Sequence, residues 1–102
     1  MAHVLADAEA KVHPWADVIR AAQAQGEALD ARVAALETAE ATAVTRAEIT
    51  ILVHEIGRAA VSAGPWRAVV DWQRSQCVVI RERARALFGD DAPEVNVPPA
   101  WR

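Results

Sequence analysis

The sequence predicts an all-α protein: a three-helix unit with one long coiled-coil-like helix, plus an extended C-terminal tail. Three observations carry that expectation. Helix-forming Ala, Glu, Arg, Gln and Leu fill the stretches between a few scattered Gly and Pro residues. Neither an Asn-Gly hairpin signal nor a convincing alternating run offers a strand. Apolar residues recur at steps of three and four through the first third of the chain, the mark of a helix face. With 102 residues there is room for one domain, expected over residues 1–89, with residues 90–102 as the tail.

The first helix has the strongest periodicity. Leu5, Ala8, Val12, Trp15, Ile19, Ala22, Gly26, Leu29, Val33 and Leu36 alternate steps of three and four, a mean period of 3.5. That period favours a long helix wound against another in a left-handed crossing. Pro14 lacks an N–H and clashes with the preceding turn, so a short arm over residues 1–13 and a helix over about 14–43 are expected. Gly26 on the seam permits close approach of a partner helix, or room for a bulky side chain such as a tryptophan from across the interface. Small flanking residues such as Ala16, Ala21, Ala28 and Ala35 suit a multi-helix bundle better than a bare two-stranded zipper.

The second helix is expected over 46–63. Thr45-Arg46-Ala47-Glu48 reads as a capping box, with Val44 and Ile49 as a hydrophobic staple. Gly64-Pro65 ends it. The third helix is expected over 66–88, with Trp66, Val69, Val70, Gln73, Cys77, Ile80, Ala84, Leu87 and Phe88 on one broad face and Gly89 as its stop. Pro93, Pro98 and Pro99 hold the tail extended. Val95, Val97 and Trp101 in that tail are costly to leave in water, so they are expected to dock on the chain's own bundle or on a neighbour.

Composition narrows function more by exclusion than by assignment. Net charge is −3, which opposes a uniformly basic nucleic-acid binder. The charge is unevenly spread: residues 1–44 carry −4, residues 45–88 carry +3, and residues 89–102 carry −2. An acidic first helix and a basic third helix are complementary if neighbours or symmetry mates bring them together. No run approaches the roughly 20 apolar residues of a membrane span. The opening residues lack a basic region and an apolar run, so no secretory signal is expected. Cys77 is the only cysteine and reads as a small buried hydrophobe, making the reducing cytoplasm the expected compartment, with a larger particle or virion as a further setting. Abundant Ala and Arg beside a single Lys suggest a bacterial or phage origin.

The chemistry-bearing residues do not form a constellation. His54-Glu55 resembles half of the zinc-protease helix motif, but Arg58 stands where the second ligand belongs. His3, His13 and Cys77 would all have to converge to hold a metal. No glycine-rich phosphate loop exists, and no Ser or Thr sits on a turn beside a His. No catalytic residue, metal or cofactor is therefore expected, and the chain reads as a non-enzyme.

One sharper alternative remains. Ala59-Ala60, then Ala63-Gly64, then Val69-Val70 and Trp72 resembles the helix-turn-helix pattern of DNA-binding regulators over residues 56–74. The resemblance implies phosphate contacts from Arg58, Arg67 and Arg74. Pro65 directly after the glycine, Gln73 at a core position and the length of the following helix depart from the pattern.

The favoured reading is a helical interaction or structural protein. It would self-assemble as a homo-oligomer, or serve as an accessory or adaptor subunit of a larger complex. Val12, Trp15, Ile19, Gly26, Leu29, Val33 and Leu36 are the expected interface, with Val95, Val97 and Trp101 docking the tail. On that reading, Leu29→Asp with Val33→Asp should dissociate the assembly.

Overall fold

The computed structural model describes residues 2–64 and 66–100, with side chains described from residue 17 onward. Among the described residues there are three helices and no strand: α1 over Ala2–Ala35, α2 over Ala43–Ala63 and α3 over Arg67–Phe88, followed by a single 3₁₀ turn at Gly89–Asp91.

The core forms where the three helices overlap. Leu29, Val33 and Leu36 meet Ile49, Leu52, Ile56 and Ala59 of α2 and Cys77, Ile80 and Ala84 of α3. Ile49, Leu52, Ile56 and Ile80 are fully buried. Val95 closes this cluster from the segment after the 3₁₀ turn, and Ala92 and Val97 pack against it. Arg46 helps hold that end: its guanidinium stacks on the Phe88 ring at 4.8 Å and donates to the Asp91 carbonyl.

Polar contacts fix the relative directions. Trp72 Nε1–H donates to Asp30 at 2.7 Å, while Arg83 donates to the carbonyls of Leu36 at 3.1 Å and Glu37 at 3.2 Å. Both sets ascend together, so α1 and α3 run parallel. Gly57 faces Gln73 while Arg46 faces Phe88, so α2 and α3 run antiparallel. With Trp72 level with Gly26 and Asp30, the start of α3 at Arg67 is level with the low twenties of α1. Roughly 20 residues of α1, about 30 Å at 1.5 Å per residue, therefore run past the end of the three-helix body. The molecule is accordingly 65 Å long but only 31 by 16 Å across.

Four local expectations are corrected. Helix α1 passes through Pro14 instead of starting there. The ring forfeits one hydrogen bond, and the alanine-rich chain on either side carries the helix across it. The same helix ends at Ala35, well short of 43. A run of i→i+3 bonds donated by Leu36 through Ala39 tightens the exit, and the distant Arg83 donates to the Glu37 carbonyl and adds a second bond to that of Leu36. The N-cap of α2 is Thr42, whose hydroxyl accepts from the Thr45 N–H at 3.2 Å. Thr45 is buried in the first turn, and Glu48 faces α1 instead of closing a capping box. Val44 is 80% exposed, so no staple forms.

Gly26 does lie under a tryptophan, but the tryptophan is the chain's own Trp72. A Cβ built on Gly26 would meet the Trp72 ring at 4.0 Å, an ordinary contact. Gly26→Ala is therefore expected to raise unfolding stability by about 1 kcal/mol, the usual helix-propensity difference, read as a shifted denaturant midpoint at unchanged slope. Leu29→Asp with Val33→Asp is now expected to unfold the body, with loss of cooperative far-UV melting, because both side chains are internal.

Candidate interaction surface

The seam of α1 is divided in two by the end of the body. Leu29, Val33 and Leu36 are 4%, 2% and 2% exposed and serve the internal core. Gly26 is half-buried beneath Trp72. Beyond it every residue from Asp17 to Gln25 is exposed, the seam positions Ile19 and Ala22 included. Ile19 is 55% exposed and Val18 is 61% exposed. The side chains of Val12 and Trp15 lie outside the described residues, as does Trp101. Val95 is buried and Val97 half-buried within this chain.

Two exposed apolar residues at the same end of the body lie outside the expected interface. Val61, on the last turn of α2, is 83% exposed, and Trp66, in the α2–α3 connection, is 70% exposed. In the sequence Val61 is one apolar residue within an apolar helix, and Trp66 falls on the face expected for the α3 core. Gly64 makes the connection with a φ of 99°, a backbone region that favours glycine, and a Cβ there would come within 3.3 Å of Trp66 Nε1. Beside Val61 a shallow groove of about 550 Å³ runs along α2, with Gln73 its one lining residue from α3. Val53, Gly57 and Val61 form its spine, with His54, Arg58 and Gln73 at its edges.

Arg58, Arg67 and Arg74 are all exposed at this end and have no ionic partner among the described residues. The helices that carry them lie side by side along their length, in contact from Gly57–Gln73 to Arg46–Phe88. A helix-turn-helix unit instead crosses its two helices at roughly 90–120°.

The paired charges bind α1 to α2 instead of α1 to α3. Arg32 donates to Glu48 at 3.0 Å through Nε and also to Glu55. Hydrogen bonding to Glu48 first, and Glu55 second, raises the Arg32 guanidinium further above its ordinary value. All three side chains are over a third exposed, so each pair contributes only about 0–1 kcal/mol and chiefly fixes orientation. Glu55 is thereby engaged, and His54 beside it is exposed. Among the described residues, no group of three or more His, Cys, Asp and Glu could hold a metal ion. None of the three described helices is long and apolar enough to cross a membrane. A second groove, about 650 Å³, lies between the end of α3 and residues 92–96, where Arg81 Nε is buried without a partner.

Comparison of the chain with protein-family models, curated proteins and solved structures finds no match.

Cys77 is 2% exposed, and burial pushes its thiol pKa above the ordinary value of 9.0. The folded state holds the proton more tightly, so this contribution is complete below pH 9.0 and is lost as pH rises from there through the higher folded-state value. Thiol-reagent labelling of Cys77 should be at least about a hundredfold slower in native protein than in denaturant, because it needs the core to open.

Proposed function

We propose that this chain is a non-enzymatic helical interaction protein that associates through the part of α1 extending beyond its own body. It would act as a self-assembling unit or as an accessory subunit of a larger complex. The observation that carries the reading is the continuous seam of α1, whose described outer positions, Ile19 and Ala22, are exposed to solvent. Most helical stability in proteins comes from packing an apolar face rather than from propensity, and the body gives this stretch no such packing at its described positions 17–25. Helix–helix packing along Leu5, Val12, Trp15 and Ile19 would stabilise it and remove Val18 and Ile19 from solvent. The DNA-binding alternative rests on three exposed arginines, and the side-by-side packing of α2 and α3 counts against it.

Sedimentation equilibrium tests the proposal. The full chain is expected to be an oligomer at micromolar concentration. Val12→Asp with Ile19→Asp should convert it to a monomer whose α2–α3 body still melts cooperatively, since Ile19 lies outside the core. A monomeric wild-type chain at high micromolar concentration would refute the reading.

A further inference from the structure

Resting on the association reading, we infer that the partner is a second copy of this chain, and that the α1 extension of each copy lies in the α2–α3 groove of the other. The extension and the groove belong to the same end of the molecule. The α1 extension leaves the body at the end where α2 joins α3, and Val61, Trp66 and the groove are at that connection. Two copies meeting end to end about a two-fold axis would pass each extension alongside the other's α2 and α3. Such an interface is isologous and closed, and it accounts for both unpartnered surfaces at once.

Dimensions and charge agree with this arrangement. From Val53 to Val61 the groove spans eight residues of α2, about 12 Å, and from Leu5 to Trp15 the seam spans ten, about 15 Å. Gly57 at the middle of the groove leaves room for a helix to approach, since a Cβ there would meet only the end of Gln73 at 3.9 Å. Residues 2–20 of the extension carry Asp7, Glu9 and Asp17 against Lys11 and Arg20, a net −1, with Asp17 paired to Arg20 at 3.7 Å. Arg58 lines the groove, and Arg67 and Arg74 are exposed on the neighbouring part of α3 with Asp71 between them, a net +2 for the four side chains. Opposite charge thus faces opposite charge in this pairing, whereas two extensions laid on each other would bring acidic segments together. A fourth helix in the groove would also cover Val61 and complete a four-helix layer around α2 and α3.

A charge exchange in the full-length chain tests the inference by sedimentation velocity. Arg58→Glu with Arg74→Glu should weaken dimerisation at least tenfold. Adding Asp7→Arg and Glu9→Arg to that variant should restore most of the loss. Val61→Glu, at a position too exposed to support the core, should independently weaken the dimer. Unchanged mass in Arg58→Glu/Arg74→Glu and in Val61→Glu, while Val12→Asp/Ile19→Asp still dissociates the chain, would overturn the groove as docking site and leave the association reading standing. Loss of duplex-DNA retention in Arg58→Glu/Arg74→Glu, with the dimer intact, would assign the arginines to nucleic acid and equally overturn the inference. A wild-type monomer would remove both readings together.

Discussion

The length of α1 relative to the body it packs on is the constraint from which the rest follows. Helices α2 and α3 supply apolar surface for only about the last ten residues of that helix. Leu29, Val33 and Leu36 take it and become part of the buried core. The same seam then continues outward with Ile19 in solvent. One periodic pattern thus does two jobs along one rod, and the change comes at Gly26, where the Trp72 ring covers the helix for the last time.

Relative placement of the helices depends on a few long-range polar contacts more than on local signals. Arg83 reaches from α3 to the last carbonyls of α1, Arg32 reaches from α1 to two glutamates of α2, and Trp72 reaches Asp30. None of these adds much energy where it is exposed. Their effect is on register: each engages a partner that a slip of one helical turn would remove. The apolar cluster beneath them supplies the larger, non-directional share of stability.

How much was legible in the sequence divides along the same line. The all-α class and the number of helices follow from composition and apolar spacing, which are local. The start of α3 and its stop at Gly89 were readable because Gly64 and Gly89 occupy positive-φ positions that few other residues tolerate. The end of α1 was not readable, since no Gly or Pro marks it and the capping group is Arg83 from another helix. The Thr45 capping box looked sound locally, yet Thr42 is also a good cap and starting one turn earlier lets Thr45 be buried. Of the candidate interface, the seam itself was visible, but its division into an internal and an external half depends on where α2 and α3 end. The groove between them and the exposure of Val61 and Trp66 arise only from packing.

If the outer half of α1 is held by association, its amide hydrogens should report that directly. Hydrogen exchange of residues 2–20, followed as the protein is diluted, should quicken through the dissociation range while the amides of α2 remain protected. Protection that is strong and independent of concentration would mean that the extension needs no partner, and would contradict the account.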